Sequence, residues 1–260
     1  MLYVPEFTGS FIQIFLIVLV GLGPVFALNE AVGFLSLGYS KFAQQEQKYS
    51  VPSRVGMFII YFPAVLLFPA MLWRHGVEWT PWHITVTVLM SLHFAKRCFE
   101  TLFVHRYSGV MNGWTVVTIC FLYSALSAVL GEFAATEVTP ELAASDAFST
   151  WMVPGIVLWA LGQFINGYHH VLLARLRKPG ETGYKLPKGG LFGQVACPHY
   201  LGEILAWLGY ALVFHHAAAL GGTWTMSLYL AGRSHNTVKW YRERVEGVPE
   251  NWKRLIPAVY

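Results

Sequence analysis

Apolar residues fall along this chain in seven runs, near 10–29, 56–73, 83–103, 114–131, 151–173, 201–219 and 221–232, divided by short polar or Gly/Pro-containing stretches. A helix that crosses a bilayer needs roughly 20 mostly apolar residues. Six runs reach or approach that length and the seventh is short. The pattern predicts an all-α polytopic membrane protein with about seven transmembrane helices and a single integral membrane domain over 1–260. Glu6 is the only charge ahead of the first run, and no small-residue cleavage site with a soluble domain follows it, so a removed signal peptide is not expected.

Composition agrees. Hydrophobic residues make up 55% of the chain and charged residues 12%, with a mean hydropathy of +0.46, a balance foreign to soluble globules. The placement of charge then orients the bundle. Lys41, Lys48 and Arg54 lie in the first loop, Lys96, Arg97 and Arg106 around the end of the third run, and Arg175 to Lys188 in the fifth loop. From Tyr107 through Ala174 there is no Lys or Arg, and the fourth loop carries Glu132, Glu137, Glu141 and Asp146; Arg74 alone dissents. The positive-inside tendency puts the odd loops and the basic C-terminus in the cytosol and the N-terminus on the opposite face. The net charge of +4 follows from that topology. It calls for no nucleic acid, and no nucleic-acid-binding module is visible.

Metal and disulfide chemistry are poorly supported. Cys98, Cys120 and Cys197 form no CxxC pair, and the pairs His169-His170 and His215-His216 put neighbouring rings about 100° apart on a helix. No metal is expected. GLGPVF at Gly21 lacks the later glycine and preceding strand of a dinucleotide fingerprint.

The richest chemistry lies between Asn166 and Trp207. Here Arg175, Arg177, Lys178, Lys185 and Lys188 gather beside the membrane, with Gly180, Gly183, Gly189 and Gly190 among them. Such cations hold either phosphates or lipid headgroups, and glycines let backbone approach a ligand. Asn166, His170, His199, Tyr200 and Glu203 interrupt the flanking apolar runs. Ionisable groups in spans cost about 2.5–3.5 kcal/mol or more at the bilayer centre, which favours a site. A polar cluster at the mouth of a bundle suits a large anionic cofactor.

The stretch LRKPGETGYKLPKGGLFGQVACPHYLGEILAWLGYAL and the ending KRLIPAVY resemble the C-terminal region of the steroid 5α-reductase family, which here corresponds to 110–260. The resemblance implies a membrane reductase whose seven helices enclose a cofactor and lipid-substrate cavity. It also implies NADPH as cofactor, and hydride addition to a carbon–carbon double bond conjugated to a carbonyl. Asn166, Arg177, Glu203, Arg233 and Tyr241 fall on positions that resemble the family's cofactor-binding set, and Lys178 stands beside Arg177 to offset phosphate charge. In a eukaryote the resemblance implies the endoplasmic reticulum.

The steroid branch holds its ketone with a Glu of the second span and a Tyr of the third. On those positions this chain has Ile60 and Tyr61, within RVGMFIIYFPA, and Phe94, within LHFAKR. LHFAKRCFETLFVHRYS is similar instead to trans-2-enoyl-CoA reductases of fatty-acid elongation. Their branch implies Tyr200, in ACPHYLGE, as proton donor, His170 as a site histidine, and elongase-complex partners. Tyr61 is a second candidate donor or an ordinary bundle aromatic. Lys96 and Arg97 are placed to meet CoA phosphates, with Glu100 pairing one of them. An enoyl-CoA is the expected substrate and a 3-oxo-4-ene steroid the alternative. Two readings of other classes stay open: an isoprenylcysteine-type methyltransferase, whose C-terminal segment is HPxYxGE-like, and a silent lipid-binding subunit.

Overall fold

The computed structural model describes residues 2–33, 37, 42, 49–107, 109–178, 181 and 183–260. Lys41, Lys48 and Gly180 lie outside the described residues. Helices account for 73% of the structure, in the order α1 Phe11–Val32, α2 Ser53–His75, α3 Pro81–Phe99, α4 Gly113–Thr136, α5 Pro140–Ala143, α6 Asp146–Arg175, α7 Pro198–Phe214 and α8 Ala217–Arg244. A short antiparallel ribbon joins β1 (Ser50–Pro52) to β2 (Val110–Asn112), with Val51 opposite Met111. It ties the entries of α2 and α4 together.

Among the described residues four helices, α1, α2, α4 and α6, are long and apolar enough to cross a membrane. The protein is therefore an integral membrane protein. Helix α7 is shorter, at 17 residues, and α3 and α8 carry polar residues on buried faces, which lowers their hydropathy. That explains the one large departure from the sequence pattern. The run expected at 221–232 is the core of a 28-residue helix whose second half holds Arg233, Ser234 and Thr237 in the interior.

Small residues bring α6 and α7 together. A Cβ at Gly155 would lie 2.8 Å from the Gly209 carbonyl oxygen, and a Cβ at Gly162 or Gly202 would strike the partner helix's backbone at Ala206 or Asn166. In lipid, close backbone approach is a main source of helix association. The same contact seats Asn166 of α6 over Glu203 of α7. Helix α3 starts at a Thr80 cap that accepts from the His83 N–H, with Pro81 in the first turn. It ends in a π-helical segment, Glu100–Val104, a wide turn of a kind often found at functional sites. At the far end of the bundle Trp82 packs against Phe148 and Phe214 and donates to the Val213 carbonyl at 2.9 Å.

Candidate active site

Three helices turn polar stripes toward one another. On α3 and its π-helical extension, His93, Lys96, Arg97 and Glu100 follow i, i+3, i+4, i+7 spacing and so share a face. On α6, Gln163, Asn166 and His170 do the same, and on α7 His199 and Glu203 are four apart. The stripes meet as one hydrogen-bonded chain. Gln163 Nε2 lies 2.7 Å from His93 Nδ1, and His93 Nε2 lies 3.2 Å from Glu203 Oε1. Glu203 Oε2 accepts from Asn166 Nδ2 at 3.0 Å, and Asn166 Oδ1 accepts from Lys96 Nζ at 2.5 Å. Lys96 then pairs with Glu100 Oε1 at 3.1 Å. Arg97 donates to Glu100 Oε2 at 2.6 Å and to Tyr61 Oη at 3.0 Å, and His170 Nδ1 stands 3.0 Å from the same Glu100 oxygen. Buried charges persist in an apolar interior when paired and hydrogen-bonded in this way.

Five members of the network, Tyr61, Arg97, Asn166, His170 and Glu203, line a cleft of about 220 Å³. Tyr61 and Tyr123 face it from α2 and α4. Asn166, His170, His199, Tyr200, Glu203, Arg177 and Tyr241 all line it. At its mouth Arg177 Nη2 donates to the Arg106 carbonyl at 2.7 Å, Arg106 donates in return to the Arg177 carbonyl, and the Arg177 guanidinium lies over the Tyr184 ring. Lys185 also lines the mouth and pairs with Glu181. Just past the π-helical segment, burial pushes the His105 imidazole down to about 2, and the positive surroundings of His170 and Arg97 act in the same direction.

Of the candidate catalytic and cofactor-binding residues, all but Lys178 and Arg233 line this cleft. Lys178 is exposed and donates through its backbone N–H to Glu181. Arg233 is 1% exposed and lies away from the cleft wall, held by Glu30 of α1 at 2.9 Å and stacked over Phe42. A buried guanidinium needs a carboxylate partner, and α1 supplies it. Lys96 and Arg97 are likewise turned inward, so the expectation that they meet phosphates gives way to the network. Gly189 and Gly190 have positive φ, and a Cβ at Gly190 would sit 2.7 Å from His169 Nε2. His169 accepts the Leu191 N–H at 3.0 Å, so this glycine pair serves loop packing.

His93, Gln163, Glu100 and His105 were not singled out as site residues from the sequence. The i, i+3, i+4, i+7 polar stripe was the signal for the first three; His105 lies beyond the helix period. Glu100, His105 and His170 place ligand-type atoms within 4.8 Å of one another. Arg97 Nη1, at 2.6 Å from Glu100 and 3.0 Å from His170, already fills the cationic position among them.

Residues 109–260 match the 3-oxo-5-alpha-steroid 4-dehydrogenase family. Over 244 residues the chain is 29% identical to 3-oxo-5-alpha-steroid 4-dehydrogenase 1 of Rattus norvegicus, covering 90% of this chain and 91% of that protein. The corresponding human protein is 27% identical over 243 residues, 91% and 90% of the two chains. The very-long-chain enoyl-CoA reductase of Dictyostelium discoideum is 32% identical over 175 residues, 65% of this chain and 56% of that one. The chain belongs to the 3-oxo-5-alpha-steroid 4-dehydrogenase family and is an oxidoreductase acting on carbon–carbon double bonds.

Proposed function

We propose that this protein is a single-domain, seven-span membrane enzyme that uses NADPH to reduce a carbon–carbon double bond conjugated to a carbonyl in a lipid, a trans-2-enoyl-CoA. The observation that carries the reading is the polar chain from Gln163 to Tyr61, which puts Glu203, Asn166, His170, Arg97 and Tyr61 on the lining of a cleft that Arg106 and Arg177 also line. A buried polar wall suits the nicotinamide end of a dinucleotide, with its amide and ribose hydroxyls. Arg177, Arg106 and Lys185 suit its phosphates. Asn166, His170, His199, Glu203 and Tyr241 would hold the cofactor. Arg233, which resembles a family position, and Lys178, chosen as a cation beside Arg177, belong to this set only if α1 and the loop rearrange around it.

NADPH, when bound, supplies hydride. Hydride received at the β-carbon sends the π pair toward the carbonyl oxygen, and Tyr200 delivers the proton that completes the reduction. A phenol suits this task because it stays protonated at neutral pH, with a reference pKa of about 10. An acyl thioester is favoured by Tyr61 and Phe94, which stand where the steroid branch has its ketone-gripping pair. A 3-oxo-4-ene steroid remains the second reading, favoured by the length over which the steroid enzymes match. The enoyl reading also implies elongase partners and the endoplasmic reticulum, with basic loops in the cytosol. Purified protein incubated with NADPH and either a trans-2-enoyl-CoA or a 4-en-3-one steroid tests it by mass spectrometry. A gain of two hydrogens on the enoyl-CoA supports the reading, the same gain on the steroid alone selects the second, and no gain on either refutes both.

A further inference from the structure

Glu203 lines the cleft, but two of the residues that hold it stand behind the lining. His93 and Gln163 are buried, and neither borders the cleft. Their link has a direction. The amide nitrogen of Gln163 is a donor only, so at 2.7 Å it gives its hydrogen and His93 Nδ1 accepts. A neutral imidazole whose Nδ1 accepts keeps its own hydrogen on Nε2, and Nε2 lies 3.2 Å from Glu203 Oε1. Gln163 of α6 thus fixes the tautomer of His93 on α3, and His93 fixes one oxygen of Glu203 on α7. The imidazole is held in place by edge contacts to the Phe94 and Trp207 rings.

A carboxylate offers about four acceptor positions. Glu203 Oε1 takes the His93 Nε2–H and, at 3.3 Å, the Trp207 indole N–H; Oε2 takes the Asn166 Nδ2–H at 3.0 Å. Among the described residues its hydrogen-bond partners are these donors alone, so the group serves as an acceptor. One position, on Oε2, is left for a donor brought into the cleft that Glu203 lines. A nicotinamide ring carries such a donor, the –NH₂ of its carboxamide, on the carbon next to the one that gives hydride. We propose that Gln163 and His93 are positioning residues that present Glu203 as a single oriented acceptor for this carboxamide N–H, and so fix how the nicotinamide lies against the double bond. The proposal rests on the NADPH reading above.

A ring packed for its shape alone would serve as well without nitrogen. His93→Phe keeps the contacts to Phe94 and Trp207 and loses only the Nε2–H, which leaves Glu203 Oε1 with the longer indole contact. Asn166 cannot follow a carboxylate that then turns. Its Nδ2 also gives to the His199 carbonyl at 2.9 Å, and its Oδ1 takes Lys96 Nζ at 2.5 Å. His93 and Gln163 act through Glu203, so their removal shows in what the site discriminates.

Titration of the purified protein with NADP⁺ and with its 3-acetylpyridine analogue, in which a methyl group replaces the carboxamide –NH₂, reads that discrimination without turnover. The parent protein is expected to bind NADP⁺ about tenfold or more tightly than the analogue, the scale of one hydrogen bond to a charged group. His93→Phe should weaken NADP⁺ by a similar factor and leave the analogue near its parent affinity, so that the two bind alike. His93→Gln, whose amide nitrogen reaches the place of Nε2, should restore most of the preference. Gln163→Leu, which frees the tautomer, should lose part of it. Equal affinities in the parent protein overturn the proposal, as does a His93→Phe protein that keeps the parent preference or weakens both nucleotides alike. Should His93→Phe not fold, Gln163→Leu decides: a reduced preference supports the proposal and an unchanged one overturns it. A parent protein that binds neither nucleotide refutes the NADPH reading itself.

Discussion

In the N-terminal half of α7, Glu203 joins His93, Asn166 and Trp207; just past its C-terminal end, 13 residues on and about 20 Å away at 1.5 Å per residue, His216 joins Glu137 at 3.0 Å. Each end buries histidine against carboxylate. They differ in what surrounds the pair. At the second end His216 Nδ1 accepts the Ala218 N–H and caps α8, so its Nε2 carries the proton toward Glu137. His83 reaches the Ala134 carbonyl at 3.2 Å, and His215 takes the left-handed turn that closes α7. Tyr3, Phe133 and Phe214 rings pack around His216. There the polar atoms complete helix ends. At the first end they form a chain along an open cleft. Burial of a polar residue in a membrane bundle therefore marks a site only when the polar atoms converge on space.

The comparison breaks first at Tyr200. Tyr200→Phe removes one hydroxyl at the cleft end and should lower turnover about 10²-fold or more, the scale for a positioned acid, while NADPH binding and thermal stability stay near the parent's. Steady-state kinetics beside cofactor fluorescence check it, and full activity would move the proton donor elsewhere. Next in size is the mouth. Arg177→Ala should weaken NADPH about tenfold or more, in line with a charge-assisted contact of about 1.5–3 kcal/mol, and should weaken NADH less. Titration of both nucleotides decides it, and equal losses would detach Arg177 from any 2′-phosphate.

The far end should behave in the opposite manner. His216→Ala removes a helix cap and should cost about 1 kcal/mol of stability, read as a lower melting temperature in detergent, with kcat at saturating substrate unchanged. A large loss of kcat in the still-folded variant would mean that the two ends are coupled. The smallest effect concerns pH. Burial lowers His216, and lowers His105 to about 2, so the folded protein keeps both neutral. Below the unfolded imidazole's value of about 6.5 the unfolded chain binds protons that the folded one refuses. The stability from each group is whole above that pH and falls as pH drops toward the folded value. Melting temperature should decline as pH falls below 6.5, and His105→Gln or His216→Gln should flatten the decline; an unchanged slope in both would contradict it.

The helices were legible in the sequence because a bilayer demands long apolar runs, and the runs at 56–73 and 151–173 fall inside α2 and α6. The full length of α8 was not, because Arg233, Lys239, Arg242 and Arg244 depress hydropathy whether they face protein or water. The β1–β2 ribbon joins three-residue segments some 60 positions apart, too short to leave a periodic trace. Asn166, Tyr200 and Glu203 were legible as polar interruptions of apolar runs. The sequence places Arg97 to meet CoA phosphates, because charge at a span's end looks the same whether it turns outward or in. Its inward turn depends on Tyr61, Glu100 and His170, which come from α2, the π-helical segment and α6, and one sequence does not show that meeting.

The central claim is that the cleft lined by Tyr61, Arg97, Asn166, His170 and Glu203 is where hydride reaches a conjugated double bond. The most direct measurement uses NADPH carrying two deuterons at C4 of the nicotinamide, incubated with purified protein and either a trans-2-enoyl-CoA or a 4-en-3-one steroid. Mass spectrometry with fragmentation then locates the label. The account predicts a product heavier by one deuteron and one proton, with deuterium on the β-carbon, and the loss of that product in Tyr200→Phe protein that still binds NADPH. A product without deuterium, or unchanged substrate with bound NADPH, would contradict it.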